Sequence, residues 1–440
     1  MSVVDTPYSP ATRRFTAASN ARDWAFLEEG GDHAVFRYVG AEVMLCSTVL
    51  RFYKGGKSRK AREGISSRAR CDQSAHFAAT VVARLVGAAF VPSAAPCAAS
   101  AAFVATLNKT LRRARSERTA TVGAGKRTGF IELDPAVERG DTTLEPCSPP
   151  SDSSIEWAWG LIVRDCTAGG YVSFEIKPKC GFTPSLRRLT QLRESVAECD
   201  NGAPPRSPWP ATMKAGTSRY AMHQHLKLAR GSIDRVSAYD PLDLFSNEGA
   251  RVRRALDALV ECPQNNWRVW RHGERVFAPE CDDVTRESLG PRPSATAAEL
   301  DALSDALLAS PLLPRLRAMQ MLDCRDIEGL ICSGVLPLRD GDASHLAPHA
   351  LIKGLSRTLR EVQQEQQDAA ECGSGSGSGS GSASARGVAT TPLAMDARAG
   401  EGEGDVGEDD GTSAARRLAL LRGYMLAAVA KDCSIMVTLR

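Results

Sequence analysis

Residues 173–182, with the sequence SFEIKPKCGF, constrain this chain more than any other stretch. Read as a strand, they alternate between an apolar face containing Phe174 and Ile176 and a polar face containing Glu175, Lys177 and Lys179. Side chains two residues apart on one face lie about 6.6 Å apart. Because lysine binds phosphate as a compact point charge, this spacing suits neighbouring phosphates. The alternative is an ordinary solvated strand with a Glu/Lys face.

The same stretch also predicts where the strand stops. Pro178 has no N–H to donate to a neighbouring strand, so the strand is at an edge or ends there. Cys180, Gly181 and Phe182 then turn the chain away.

A second feature is the glycine pair Gly30 and Gly31, which lies between two predicted strands within residues 23–40. Glycine lets the backbone approach a ligand closely and present N–H groups to phosphate. The sequence Gly-Gly-Asp is equally typical of an ordinary hairpin turn. On the residues alone, His33 is interpreted as a turn residue rather than a catalyst.

Composition bounds the class of protein. The 440 residues carry a net charge of +3, which gives no bulk electrostatic argument for a nucleic-acid partner. Thirteen cysteines without a C-x-x-C pair predict free thiols in a reducing intracellular compartment, nuclear or cytoplasmic. The apolar stretch at 418–430 contains Arg422 and is too short to span a bilayer. We therefore expect a soluble protein that acts as a monomer and has no membrane span.

The predicted elements alternate with polar segments. Residues 1–20 are expected to form a disordered leader, 116–155 a loop insertion, and 363–412 a flexible linker of Gly-Ser repeats and acidic residues. The basic run at 54–70 is interpreted as a solvated loop or helix. Helices are predicted over residues 77–91, 98–115, 218–228, 246–260, 299–322 and 414–431. Asp240 can cap a short helix with Pro241 at its first position, and Ser246 is expected to cap the helix that follows. Further strands are predicted over residues 43–52, 160–163, 267–270 and 432–439.

Two groups of polar residues have open interpretations. Arg219, His223 and Lys227 recur at helical spacing and form either a solvated face or a binding stripe for an anion. Asn265 and Asn266 beside Arg268 can bind an oxyanion or close a turn. A zinc site can be drawn from Cys324, Cys332, His345 and His349, but their spacing fits no compact structural pattern, and no metal ligand is assigned.

Several ordered motifs together resemble the inositol-pentakisphosphate 2-kinase family. They are the E-x-K-P-K sequence from Glu175 to Lys179 with Cys-Gly-Phe, the S-R-Y-x-M-H-Q sequence from Ser218, residues 239–246, 263–266, 326–329 and 432–436. The resemblance implies a two-lobed α+β inositol phosphate kinase fold, distantly like protein kinases, with disordered insertions. It implies transfer of the ATP γ-phosphoryl group to the 2-hydroxyl of inositol 1,3,4,5,6-pentakisphosphate, giving inositol hexakisphosphate (phytate). Protein kinase activity is not expected, because the H-R-D, D-F-G and V-A-I-K motifs are absent from the sequence.

The resemblance also assigns roles to residues. Asp432 and Lys177 would be catalytic, with Asp432 accepting the proton of the attacking hydroxyl. Those implied to bind ATP are Gly30, Gly31, Asp32, His33, Arg51, Arg164, Asp165, Cys166, Glu175, Ile176, Lys177 and Arg268. Of these, Arg164, Asp165 and Cys166 would form the adenine hinge. Those implied to bind the inositol phosphate are Arg118, Lys179, Lys227, Asn265 and Asp432. The expected cofactors are ATP and Mg²⁺, because phosphoryl transfer depends on positioning and charge neutralisation.

The implied organisation is a nucleotide-binding lobe at 21–165, an inositol-phosphate-binding lobe at 166–362, the linker, and the last helix and strand of the second lobe at 413–440. The family usually has Asn where His33 stands. It also continues beyond the Asp432 strand with a D-L-D-x-K-P segment that supplies a magnesium-binding aspartate, so a truncated final segment is expected here. The alternative hypothesis is therefore a weak or inactive inositol-polyphosphate-binding protein.

Overall fold

The computed structural model describes much of the chain with side chains. The described residues are 13–16, 19–55, 66–122, 129–131, 157–186, 190, 211–277, 294–323 and 414–440, without the side chains of 19, 118–122, 211 and 414–418. The chain divides into two compact units, of which the first comprises Met1–Phe182, Thr217–Gln320 and Ala430–Arg440. The second comprises Thr183–Gly216 and Met321–Val429.

The first unit contains a six-stranded sheet in the order β1-β5-β6-β4-β3-β2. Its strands are β1 (Arg13–Phe15), β2 (Trp24–Glu29), β3 (His33–Tyr38), β4 (Thr48–Tyr53), β5 (Ala94–Ser100) and β6 (Trp157–Arg164). All neighbours are antiparallel except β1 and β5. The predicted hairpin around Gly30 and Gly31 is present as β2 and β3, so the glycine turn lies at one end of this sheet.

Helices cover the two faces of the six-stranded sheet. On one face, α3 (Ala101–Val122) buries Phe103, Leu107 and Leu111 at helical spacing among apolar side chains of the sheet. Helix α1 (Ser67–Phe77) packs against β5 and β6. It continues through a π-helical turn, Ala78–Val82, into α2 (Ala83–Val86), and the run stops at Gly87, whose φ of 103° is costly for other residues.

Three predictions for this part of the chain need correction. Residues 98–100, predicted to begin a helix, instead end strand β5 (Ala94–Ser100), because pairing with β6 overrides the helix propensity of Ala98 and Ala99, and helix α3 starts at Ala101. The predicted strand at 43–52 begins only at Thr48, after a 3₁₀ turn at Val43–Leu45. Within the leader predicted to be disordered, residues 13–15 form β1, because Phe15 is buried against Trp24 and Phe103.

A four-stranded antiparallel sheet with the order β10-β7-β8-β9 completes the first unit. Its strands are β7 (Val172–Ile176), β8 (Trp267–Arg271), β9 (Glu274–Phe277) and β10 (Ile435–Leu439). Phe174 stacks on Trp267 with ring centroids 5.1 Å apart, so the predicted apolar face of β7 lies in the core. The mixture of helices with two largely antiparallel sheets confirms the predicted α+β class.

Short helices surround this second sheet. They are α5 (Arg219–Ala229), α6 (Pro241–Leu244), α7 (Gly249–Glu261), α8 (Ala297–Ala309) and α9 (Leu312–Gln320). Asp240 caps α6 and Pro241 is its first residue, as predicted. Ser246 was predicted to cap the next helix, but α7 starts after Glu248, and the Ser246 hydroxyl accepts a hydrogen bond from the Glu248 N–H.

The two sheets of the first unit are joined by Arg37, which lies on β3. Its Nε donates to Asp165 Oδ2 at 2.5 Å, and its other nitrogens donate to Thr167 Oγ and to the carbonyl of Gly273 in the β8–β9 turn. Arg275 of β9 pairs with Glu28 of β2 beside it. These charge-assisted hydrogen bonds fix the connection between β6 and β7, where the chain passes from one sheet to the other.

In the second unit, α4 (Ala211–Gly216) and most of α10 (Ala414–Lys431) are described. Helix α10 has the bounds that the sequence predicted. Gly423 lets this helix pass within contact distance of the Leu322 backbone, because a Cβ there would lie 2.8 Å from the carbonyl oxygen. In the described part of the chain, we find no helix with the length and apolar content required to cross a membrane.

Glu299 provides a test of how pH affects this fold. Its carboxylate pairs with both terminal nitrogens of Arg271 and closes a capping box with Thr296. The hydrogen bonds from Arg271 lower the pKa of Glu299 from 4.5 to about 2. Because the folded pKa lies below the unfolded value, the stabilisation is present above about pH 4.5 and is lost as the pH falls towards 2.

We therefore expect Glu299→Gln to lower the free energy of unfolding at pH 7, and the difference from wild type to shrink below about pH 4.5. Urea unfolding of both proteins at pH 7, 5, 4 and 3 measures this difference. A difference that is the same at every pH would contradict the role of the ionised carboxylate.

Candidate functional site

Glu175 lies at the centre of the polar face of the second sheet. It is directly opposite Arg268 on β8, and Arg268 Nη1 lies 3.1 Å from Glu175 Oε2. Ser434, which precedes β10, donates its hydroxyl to Glu175 Oε1 at 2.7 Å. The predicted nucleotide-side residues Glu175 and Arg268 are therefore in contact, and both carboxylate oxygens have protein partners.

The chain turns sharply after β7, and this turn carries both lysines of the E-x-K-P-K sequence. The Lys177 N–H donates to the Asn266 carbonyl at 3.0 Å, and the buried Tyr239 hydroxyl donates to the Pro178 carbonyl at 2.8 Å. Lys179 has a φ of 59°, in the left-handed region. The prediction that Lys177 and Lys179 share one face of a strand is wrong, because the strand ends at Ile176, before Pro178, which cannot continue the ladder.

Gln320, at the end of α9, is hydrogen-bonded to the backbone of this turn. Its buried side-chain amide accepts from the Gly181 N–H at 2.8 Å and donates to the Lys179 carbonyl at 2.7 Å. The same NH₂ group donates to the Ala430 carbonyl at 3.2 Å, near the end of α10. Gly181 is required because a Cβ there would overlap the Phe245 ring at 2.1 Å. One amide therefore keeps the lysine turn next to the segment that leads to Asp432.

Asp432 lies between α10 and β10 with its side chain 87% exposed. One carboxylate oxygen is 3.8 Å from Lys179 Nζ. A carboxylate that is accessible and next to a cation can receive a proton from a bound hydroxyl. The structure thus brings together Lys179, which is predicted to bind the substrate, and Asp432, which is predicted to accept the proton of the attacking hydroxyl.

Several cations approach one another at this turn. Burial lowers the pKa of Lys179; Asp432 acts in the opposite direction, and the charges of Lys177 and Lys227 lower it further. Burial likewise lowers the pKa of His223, assisted by Lys227 and Arg219. Lys227 and His223 occupy successive turns of α5. The basic side chains of this helix are therefore close enough to the E-x-K-P-K lysines for their charges to interact. Because these cations repel one another, the site favours an anionic ligand.

The two asparagines after Pro263 have different environments. Asn265 is exposed, which leaves its side chain accessible to a ligand. Asn266 is buried and donates to the Tyr220 hydroxyl at 2.8 Å, while its carbonyl accepts from Lys177. Asn265 can therefore contact a substrate, and Asn266 shapes the turn.

The glycine turn lies at the end of the β2–β3 hairpin. The Gly30 N–H donates to the His33 carbonyl at 3.0 Å, and no side chain or backbone lies within 4 Å of a Cβ built at Gly30 or Gly31. His33 is the first residue of β3, and the centroid of its ring lies 4.4 Å from that of Tyr53. Its Nδ1 is 3.3 Å from Arg51 Nη2. The predicted ATP-binding residues Gly30, Gly31, His33 and Arg51 thus form one open corner of the first sheet.

The predicted adenine hinge lies between the two sheets. The carboxylate of Asp165 is buried and accepts hydrogen bonds from Arg37 and from the backbone and hydroxyl of Thr167. The Cys166 carbonyl accepts from Thr438 at 2.7 Å, and burial raises the pKa of the Cys166 thiol. The Asp165 side chain therefore belongs to the hinge itself, while Arg164 is exposed.

For two other predicted site residues, Ile176 and Arg118, the structure shows no side chain available to a ligand among the described residues. The side chain of Ile176 is fully buried in the sheet, so it can reach a nucleotide only through its backbone. Arg118 lies within α3, but its side chain is outside the described residues.

Several polar residues that organise these features were not singled out from the sequence. They are Glu29, Arg37, Lys54, Arg115, Gln320 and Ser434. Lys54 had a usable signal: it continues the alternation of the buried residues Leu50 and Phe52 along β4, and a lysine on a buried face needs a partner. Gln320 and Ser434 had none, because their partners are distant in sequence.

The expected magnesium ion was tested against the residues present. In the described ranges, no three His, Cys, Asp or Glu side chains gather as a metal-binding group. Glu175 is bound to Arg268 and Ser434, and Asp432 faces Lys179, so these carboxylates do not form a cation site. The four residues considered for zinc lie outside the described residues.

The fold and this geometry define a class: an α+β enzyme with a glycine turn on one sheet and a basic, carboxylate-containing turn on the other. The comparison with known families is specific. The family model for inositol-pentakisphosphate 2-kinase matches residues 26–440. The chain therefore belongs to the inositol-pentakisphosphate 2-kinase family and is an inositol phosphate kinase.

Individual relatives agree with this membership. The chain is 28% identical over 354 residues to the inositol-pentakisphosphate 2-kinase of Arabidopsis thaliana, covering 71% of this chain and 69% of that protein. It is 27% identical over 323 residues to the enzyme of the same name from Cryptococcus neoformans, covering 72% and 66%. A shorter match to the Danio rerio enzyme is 40% identical over 116 residues, or 26% of this chain and 20% of that one.

The role of Gln320 can be measured by stability. Gln320→Leu removes the partners of two carbonyls and one N–H, all near the lysine turn. Leaving a buried polar group unpaired costs about 1–3 kcal/mol, so we expect the free energy of unfolding to fall by about 2–5 kcal/mol. Urea unfolding gives this value.

Gln224, which is also fully buried, provides the comparison. Gln224→Leu also lowers stability but leaves the Lys179 turn intact, so we expect it to weaken inositol phosphate binding less than Gln320→Leu does. Equal binding by wild type and Gln320→Leu would show that the turn does not depend on this amide.

Proposed function

We propose that this chain transfers the γ-phosphoryl group of ATP to the 2-hydroxyl of inositol 1,3,4,5,6-pentakisphosphate, giving inositol hexakisphosphate and ADP. The observation that carries the proposal is the contact of Lys179 with Asp432, within the field of Lys177 and Lys227. A polyphosphate requires several cations, and a hydroxyl acceptor requires a proton acceptor. This turn supplies both.

The substrate side follows from charge. Lys179 is mostly buried, and its ammonium form is disfavoured by burial and by two neighbouring lysines. A bound polyanion reverses this effect, because an opposite charge close by stabilises the protonated lysine. Lys179 and Lys227 with Asn265 are therefore the residues proposed to bind the inositol phosphate groups, since lysine suits phosphate as a point charge.

The donor side uses the other sheet and the neighbouring strand. Backbone N–H groups of the glycine turn and the exposed Arg51 bind the ATP phosphates in this proposal, as do Lys177 and Arg268. Glu175 orients Arg268 through the 3.1 Å contact and keeps its planar guanidinium in one position.

The transfer step then balances simply. The 2-hydroxyl oxygen forms a bond to the γ-phosphorus, and the bond from that phosphorus to the bridging oxygen of ADP breaks. Asp432 takes the hydroxyl proton, and Lys179 beside it stabilises the charge that develops on the acceptor side. No further residue has to react covalently, because phosphoryl transfer depends mainly on positioning and charge neutralisation.

The test is direct. Incubation of the full chain with ATP, Mg²⁺ and inositol pentakisphosphate is expected to yield inositol hexakisphosphate, resolved by anion-exchange chromatography. Asp432→Asn should lower turnover by at least about 100-fold, the contribution typical of a positioned base, while substrate binding measured by calorimetry stays within about twofold. Binding without turnover in the wild type would instead favour an inositol-polyphosphate-binding protein.

A second variant tests the cation cluster. Lys179→Ala removes a cation from the turn, so we expect the dissociation constant for inositol pentakisphosphate to rise about 10-fold or more, as for loss of a charged hydrogen bond. Lys109→Ala, an exposed lysine on α3, is the matched control and should bind like wild type. If both variants bind equally well, the proposed substrate side is wrong.

A further inference from the structure

We propose that Lys54 is a positioning residue for ATP, which acts by holding the glycine turn rather than by touching the nucleotide. This inference rests on the proposed function, because it concerns the donor side of the same reaction. Lys54 begins the basic run at 54–70, which is predicted to be a solvated loop or helix. In the structure its side chain is only 2% exposed.

Lys54 holds the turn at two points. Its ammonium group donates to the Gly30 carbonyl at 2.6 Å, and its backbone N–H donates to the Asp32 carbonyl at 2.8 Å. Two carbonyls of the turn are therefore directed towards the residue that follows β4. The first bond fixes the peptide between Gly30 and Gly31, and the second fixes the peptide between Asp32 and His33.

The orientation of that peptide determines what the turn presents. No cis peptide is found among the described residues, and in a trans peptide the N–H points opposite to the carbonyl. With the Gly30 carbonyl directed at the Lys54 ammonium group, the Gly31 N–H of the same peptide points away from that group. A Cβ built at Gly30 or Gly31 would meet nothing within 4 Å, so both glycines are open to a ligand. Outward N–H groups of this kind bind phosphate oxygens.

A buried carboxylate makes this arrangement possible. Glu29 Oε2 lies 2.9 Å from Lys54 Nζ, and the Glu29 side chain is 1% exposed. A buried ammonium group is costly without a counter-ion. Glu29, the residue immediately before the turn, supplies that counter-ion beside Gly30.

Arg115 of α3 shares the same carboxylate. Its Nε and Nη2 lie 3.1 and 2.7 Å from the two oxygens of Glu29, and Nη2 also donates to the Gly129 carbonyl at 2.7 Å. Lys54 and Arg115 thus have different roles: both pair with Glu29, but among the described residues it is Lys54, and not Arg115, that donates to the Gly30 carbonyl.

This difference gives a matched experiment on the full chain. Lys54→Met removes the hydrogen bond to the Gly30 carbonyl. Arg115→Met removes the other cation from Glu29 and leaves that hydrogen bond in place. Both variants are expected to lose stability. Only Lys54→Met is expected to raise the dissociation constant for ATP, measured by calorimetry without inositol phosphate, by about 10-fold, as for loss of one preorganised charged contact.

Steady-state kinetics and hydrogen exchange measure quantities that would not change if Lys54 only stabilised the fold. Lys54→Met should raise KM for ATP with kcat and KM for inositol pentakisphosphate within about twofold, the pattern of lost ground-state binding. Hydrogen exchange of a peptide covering Gly31 should be faster in nucleotide-free Lys54→Met than in Arg115→Met. Should Lys54→Met not fold, Lys54→Gln, neutral but still polar, carries the same expectations.

The outcomes are distinguishable. If the wild type binds ATP and Lys54→Met binds it equally well, the inference is wrong while the proposed function stands. If Arg115→Met loses as much ATP affinity as Lys54→Met, Lys54 acts only through general stability and the inference is again wrong. A wild type that binds no ATP overturns both the donor side of the proposed function and this inference.

Discussion

The early end of β7 is the constraint on which the rest of the site depends. A proline after Lys177 stops the ladder, and the chain leaves the sheet through a left-handed residue at Lys179. Such a turn exposes carbonyls that must be paired inside the protein. Tyr239 and Gln320 supply the partners, and Gln320 also binds the end of α10. The same hydrogen bonds that satisfy the turn therefore place Lys179 beside Asp432.

Three buried or half-buried carboxylates among the described residues of the first unit each pair with a cation of the protein. Glu29 pairs with Lys54 and Arg115, Asp165 with Arg37, and Glu175 with Arg268. A buried charge without a partner is costly, so each of these carboxylates acts mainly by fixing a cation in place. Asp432 differs because it is largely exposed, and an exposed carboxylate can exchange a proton with a ligand.

Local signals in the sequence predicted much of this fold. Alternation predicted the β2–β3 hairpin and the core face of β7, and the Asp-Pro pair predicted the start of α6, because each depends on neighbours within a few residues. The helix at 414–431 was predicted for the same reason. The strand at 94–100 was missed, since its alanines favour a helix and only pairing with β6 makes them extended.

The residues of the candidate site likewise include some that local sequence signals predict and some that depend on partners distant in sequence. Lys177, Lys179 and Lys227 could be grouped from motif and helical spacing, and the structure places them in one field. The residues that hold them could not be found, because Gln320 is 141 positions from Lys179 and Ser434 is 259 from Glu175. Lys54 was misassigned for a different reason: the basic residues that follow it gave the whole run a polar average, which concealed that Lys54 itself continues a buried face.

Two arginines, Arg37 and Arg275, connect the two sheets of the first unit, whereas lysines gather at the turn after β7. Arg37 joins β3 to the hinge and to the β8–β9 turn, and Arg275 joins β9 to β2, because a planar guanidinium can bond several acceptors at once. Lysines occupy the turn where the ligand is proposed to bind, since a compact ammonium on a flexible stem adapts to phosphates in different positions. Lys54 departs from this division, because a single nitrogen donating to both a carboxylate and the Gly30 carbonyl fits a narrow buried space beside the turn. The connection between the sheets therefore depends on arginines, while the glycine turn, which is proposed to bind ATP, is bonded to a buried lysine.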